Sequence, residues 1–155
     1  EILRQTYFFA VLPLETLKVF AYLCTREKFK KDEYLFKQHE EDGRAFYIIS
    51  GRAILERQEN DTAKKIRDCA KGEFLGSLTL LGEVRRLFSL KAAEDTICLV
   101  LEREKFTTAV EQFPNIMPLI FKAVAKNIDS WEERFLVGRA DMCGECMVNL
   151  GVSLI

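Results

Sequence analysis

The stretch GEFLGSLTLLGEVRRLFSLKA, residues 72–92, places Gly72, Gly76, Gly82, a short apolar run and the pair Arg85-Arg86 in one segment. A phosphate held without a metal needs converging backbone N–H groups and a fixed cation. Gly76 lets the backbone turn and approach a ligand with no Cβ in the way. Residues 77–81 suit one helical turn, whose first N–H groups lack an intrahelical partner. Arg86 opens the next expected strand, and its planar fork fits two phosphate oxygens. The stretch reads as an anion cradle set between strands.

The flanking sequence has the texture of a β-structure. From Phe29 onward, EYLFKQ, AFYIIS, AILERQ, AKKIRDCA, LFSLKAA and TICLVLE read as short strands. EEDGR, SGR, ENDT, Lys71-Gly72 and Glu94-Asp95 supply turns between them. Strands recurring every 8–12 residues or so point to a sandwich or barrel. The charged run REKFKKDE, residues 26–33, reads as a solvated connection into the sheet.

Both ends read as helical. Residues 7–12 suit a short helical turn, and Pro13 suits the start of a helix carrying Leu17, Phe20, Leu23 and Cys24 on one face. REKFTTAVEQF, residues 103–113, reads as a helix broken at Pro114, and a second helix is expected over 115–137. On it Met117, Phe121, Val124, Ile128, Trp131 and Phe135 follow heptad a/d spacing. Such a stripe fits either a helix laid on its own domain or one shared in a homodimer or with a partner chain.

Composition narrows the function classes. The 155 residues suit one domain, and 48% hydrophobic with 30% charged residues suits a globular one. A net charge of -1 argues against nucleic-acid binding by this chain alone, which needs clustered cations. No apolar run approaches the ~20 residues of a membrane span. The opening Glu1-Ile2-Leu3, without methionine, reads as either a fragment or a processed chain. Five cysteines without regular spacing are unlike a secreted disulfide framework and suggest a reducing, cytoplasmic setting.

Residues 75–92, LGSLTLLGEVRRLFSLKA, resemble the phosphate-binding cassette of the cyclic-nucleotide-binding domain family, F-G-E-x-A-L-L, a spacer, then R-x-A-T-V-x-A. EYLFKQHEEDGRAFYIISGRAILER also resembles that family's G-E-x-L-F-x-Q-G-(D/E)…Y-x-I-x-x-G-x-(V/A) segment. The resemblance spans residues 7–135 and implies a mainly β fold with flanking helices, an eight-stranded jelly-roll β-barrel. The expected layout is N-terminal helices in 1–28, the jelly roll in 29–102, C-terminal helices in 103–137, and a tail in 138–155. The implied ligand is a cyclic nucleotide, cAMP or cGMP, or a related small anion. The implied output is a change in packing of the C-terminal helix. Gly76, Ser77 and Leu78 would contribute backbone N–H groups, Ser77 also its hydroxyl, and Arg86, with Arg85 beside it as the register alternative, its charge.

The departures are specific. Ser77 stands where the family has an acid that accepts the ribose 2′-hydroxyl. Its loss removes a charge-assisted hydrogen bond of roughly 1.5–3 kcal/mol. Leu87 and Phe88 replace small residues beside the phosphate, at about 1–3 kcal/mol if they cannot swing aside. Phe88 is then a candidate gate. Asp32 and His39 replace two family glycines in turns. A rival expectation is a ligand-free interaction or dimerisation module that keeps the fold.

The remaining motifs carry less. CGEC, with Cys143 and Cys146, has the spacing of half a zinc site or of a redox pair. Its simplest reading is two reduced thiols in a tail. His39 reads as a solvated turn residue. One histidine, with no nucleophile elbow, P-loop or HExxH motif, argues against catalysis.

Overall fold

The computed structural model describes residues 2–60 and 62–126. Among these residues eight strands form: β1 (Thr25–Phe29), β2 (Tyr34–Phe36), β3 (Arg44–Ser50), β4 (Arg52–Glu59), β5 (Thr62–Ala70), β6 (Phe74–Leu75), β7 (Ser89–Ala92) and β8 (Thr96–Glu102). They make two four-stranded antiparallel sheets, β1-β8-β3-β6 and β2-β7-β4-β5. This is the mainly β jelly roll that the resemblance implies.

Alternation of side chains sets the inner faces. In β7 and β8, Leu90, Ala92, Cys98 and Val100 are buried. With Leu35, Phe36, Phe46, Ile48, Leu55 and Phe88 they fill the space between the sheets. The β3–β4 turn is closed by Gly51 at φ +87°, and a Cβ there would collide with the Asp95 carbonyl and Thr96.

Among the described residues, four helices flank the sheets: α1 (Leu14–Leu23), α2 (Leu78–Leu81), α3 (Arg103–Gln112) and α4 (117–126). They share a second core with the N-terminal turns. Phe8 and Phe9 are fully buried, with ring centres 5.0 Å apart, and Phe8 lies 5.9 Å from Phe106 of α3. Phe20 of α1 stacks on Phe106 at 5.6 Å. Leu80 of α2 and Ile120 of α4 join the same cluster. Each such side chain contributes about 1.5–3 kcal/mol when taken out of water.

Three expectations need correction. Residues 25–29 are not a solvated connection: they form β1, paired with β8 from Thr25↔Val100 to Phe29↔Thr96. Their charges suit an edge strand, which water reaches along one side, so the sheet begins at Thr25 and not at Phe29. Arg86 does not open β7, which begins at Ser89. The last described helix begins at 117, after a 3-10 turn over Pro114–Ile116.

The heptad stripe divides where it is described. Val124 is buried and Met117 packs against the helical core, whereas Phe121 is 57% exposed; the buried Ile120 and Ala123 lie outside the stripe. Ile128, Trp131, Phe135 and the tail with Cys143 and Cys146 lie outside the described residues.

Candidate functional site

The segment between β6 and β7 wraps around one arginine. The main chain of Arg86 pairs with the β2–β3 loop, donating to Glu40 O at 2.8 Å and accepting from His39 N at 2.7 Å. Alternation then carries inward to Phe88 and Leu90, while Leu87, between Arg86 and Phe88, is 58% exposed. Arg86 is therefore aimed inward by its own strand-like backbone and is only 1% exposed.

Its guanidinium is held from three sides. Nη2 donates to Asp42 Oδ1 at 2.6 Å and also to the Arg44 carbonyl. The planar group lies 4.0 Å from the ring centre of Phe36, with Phe46 further out at 6.0 Å. Burial lowers the Arg86 pKa, and the Asp42 carboxylate opposes that shift. A guanidinium keeps its charge in either case. Two of its donors, Nε and Nη1, are buried and have no hydrogen-bond partner among the described residues. An unmatched charged donor in the interior is costly.

Gly76 makes the close approach possible. It adopts φ +82°, and a Cβ there would strike Nη1 of Arg86. The turn that follows is tied down locally. Thr79 Oγ1 donates to Gly76 O at 2.8 Å or to Arg44 O at 3.1 Å. The Ser77 hydroxyl is hydrogen-bonded to Tyr7 O–H at 2.7 Å. Burial raises the Tyr7 pKa, with Ser77 partly offsetting the shift.

Arg103, the first residue of α3, clamps this assembly from below. Its Nε donates to Thr79 O at 2.6 Å, its Nη2 reaches Glu41, and its main-chain N–H donates to Gly43 O at 2.7 Å. One side chain thereby joins the cassette turn, the β2–β3 loop and the helix leading to α4.

Of the residues expected at the site, the structure brings Gly76 and Arg86 together, with Ser77 and Leu78 in the adjoining turn. Leu87 points outward and does not line it. Phe88 is 4% exposed and packs in the core between the sheets. Sequence reasoning missed Asp42, Phe36, Tyr7 and Arg103. Asp42 and Arg86 are separated by 44 positions and Tyr7 and Ser77 by 70, so no local pattern could pair them.

Asp32 and His39 hold the left-handed conformation, at φ 72° and φ 71°. These are the two turn positions where glycine was expected, so the backbone keeps the glycine geometry without the glycine.

Comparison with known proteins agrees with this fold. The human cGMP-dependent protein kinase 2 is 26% identical over 135 residues, covering 85% of this chain and 18% of the kinase. The chain thus spans less than a fifth of that relative. The N-terminal domain of a transcriptional regulator from Streptomyces coelicolor A3(2) superposes with a TM-score of 0.77 at 19% identity, covering 84% of this chain and 94% of that one. The regulatory domain of Toxoplasma gondii PKA with cAMP superposes with a TM-score of 0.68 at 17% identity, covering 81% and 48%. The family model for the cyclic nucleotide-binding domain matches residues 26–113, from β1 through the end of α3. With its jelly roll, its glycine turn and its inward arginine inside that span, this chain belongs to the cyclic nucleotide-binding domain family.

Proposed function

We propose that the chain is a non-catalytic regulatory module that binds a cyclic nucleotide, cAMP or cGMP, through Arg86. The observation that carries this reading is the buried guanidinium with Nε and Nη1 unpartnered beside Gly76. An ionised phosphodiester supplies the acceptors those donors lack, and the low-dielectric surroundings strengthen the contact. The backbone N–H groups of Gly76, Ser77 and Leu78 add to the cradle as the turn closes. Since Arg86 is sealed from solvent, the ligand enters by displacing the 82–85 segment or the β2–β3 loop.

Output passes to the helices because they share a core with the cassette. Leu80 of α2 packs in one cluster with Phe106 of α3 and Ile120 of α4, and Arg103 bonds directly to the α2 backbone. Calorimetric titration with cAMP and cGMP tests the reading. Saturable heat in wild type that disappears in Arg86→Leu supports it. Absence of heat up to millimolar ligand overturns it.

A second reading rests on a separate observation. Phe121 is 57% exposed on α4, at the head of the apolar stripe that runs on through Ile128, Trp131 and Phe135 in the sequence. Pairing of that stripe, in a homodimer or with a partner chain, makes this an interaction module whether or not Arg86 takes a ligand. Sedimentation velocity of wild type and Phe121→Glu decides it: loss of a dimer in the variant supports pairing, and a monomeric wild type removes the homodimer.

A further inference from the structure

Helix α1 leaves one strip of its surface uncovered among the described residues. Leu14, Leu17, Lys18 and Ala21 recur at helical spacing and share a face. Leu17 is buried there, whereas Leu14 is 52% exposed and Ala21 is also exposed. A groove of about 370 Å³ opens between this strip, the N-terminal turn at Leu3 and Arg4, and Leu99 of β8. Its floor is carbon, since Leu3 and Leu17 are buried and Leu99 packs against the helical core. That volume lies within the range of small-molecule sites, about 300–1,000 Å³, which are mainly apolar with a few polar groups. Neither Gly76 nor Arg86 lines the groove, so it is separate from the cassette.

Two cations, Arg4 and Lys18, and no carboxylate line the groove. Lys18 Nζ lies 2.9 Å from Glu15 Oε1, so its charge is already matched. Arg4 has no ion pair or side-chain hydrogen bond among the described residues. One unmatched positive charge therefore stands beside an apolar trough. A carboxylate is a monoanion, and the planar guanidinium takes it two-pronged. A dianionic headgroup would leave half its charge unmatched. We propose that this groove binds a free medium-chain fatty acid, with its carboxylate on Arg4 and its acyl chain along Leu14, Leu17, Ala21 and Leu99. Each methylene buried raises affinity by up to about fourfold. The exposed carboxylate contact adds about two- to fivefold.

The test titrates the chain with octanoate, decanoate and dodecanoate below micelle formation, followed by amide shifts in NMR spectra. Saturable one-to-one binding is expected, tightening by about threefold or more from each acid to the next. The shifts should fall on residues 14–21 and Leu99 and spare residues 76–86. Ala21→Trp, on the open side of α1, fills the groove and should abolish binding. Arg4→Gln should weaken decanoate about two- to fivefold relative to uncharged decanol. That ratio of two ligands on one protein decides the matter even if Ala21→Trp folds poorly. No saturable shift up to millimolar acid, an affinity flat across the series, or a ratio unchanged in Arg4→Gln overturns the proposal. Shifts confined to the cassette also overturn it, by assigning the acid to the Arg86 site. Shifts in α1 caused by phosphatidylglycerol vesicles and by none of the free acids overturn it in favour of a membrane contact.

Discussion

Asp42 Oδ1 accepts a 2.6 Å hydrogen bond from Nη2 of Arg86, joining the β2–β3 loop to the segment that precedes β7. The Arg86 side chain is fully buried and that of Asp42 is 19% exposed, so the pair is largely shielded from water. Removing one member of such a pair strands the other charge, a loss of about 3–5 kcal/mol in the general case. Asp42→Asn keeps the shape and is expected to lower stability by roughly 3 kcal/mol, because some exposure softens the penalty. Urea unfolding of Asp42→Asn, Arg86→Leu and the double variant measures the coupling. A double variant no less stable than the worse single one supports the pair, and full additivity contradicts it.

The left-handed turns make a stabilising prediction. Asp32 and His39 sit at φ 72° and φ 71°, where side chains with a Cβ are disfavoured. Asp32→Gly and His39→Gly are each expected to gain up to about 1 kcal/mol, reduced by the greater freedom of glycine in the unfolded chain. Thermal unfolding of the two variants checks this, with an unchanged or lower midpoint counting against it.

Arg103 holds the α2 backbone to α3, and its loss should act on the cassette first. Arg103→Ala removes the bond to Thr79 O and the contact with Glu41. A destabilisation of about 1–3 kcal/mol is expected. Amide exchange at residues 79–81 should rise before that of β3 and β8. Uniform acceleration across the domain would show Arg103 to be a general stabiliser only.

Three thiols predict a pH dependence at the alkaline end. Burial pushes Cys69 and Cys98 up to about 12 and Cys24 up to about 11. An unfolded thiol ionises near pH 8.5, so above that the unfolded state binds fewer protons than the folded one. The stabilisation is complete below the unfolded value and is lost as pH rises through the folded values. Each thiol contributes a fall of at most about 1.4 kcal/mol per pH unit in that window. Urea midpoints at pH 8 and pH 10 should differ in this direction, and Cys98→Ala should shallow the slope. A slope unchanged in Cys98→Ala contradicts the assignment.

Much of the fold was legible because it rests on short-range chemistry. Gly51 and Gly76 announce turns that need positive φ, and the apolar alternation of TICLVLE announces a strand with one inward face. β1 was not legible. TREKF is mostly polar and becomes a strand only because β8 offers it a full antiparallel ladder. α4 was legible as a helix but not in its facing, since heptad spacing alone does not say whether Phe121 or Ile120 turns toward the core.

The sequence by itself determined the family and the jelly roll, and it singled out Gly76 and Arg86, which the fold brings together. These depend on residues within a few positions of one another, whose spacing survives any tertiary arrangement. Only the tertiary structure decided what those residues touch. It set Asp42 and Phe36 on Arg86, turned Ser77 toward Tyr7, sent Leu87 outward and placed Phe88 in the core. Such contacts join segments 44 to 70 residues apart. They arise from sheet register and loop closure, which no local pattern of residues encodes.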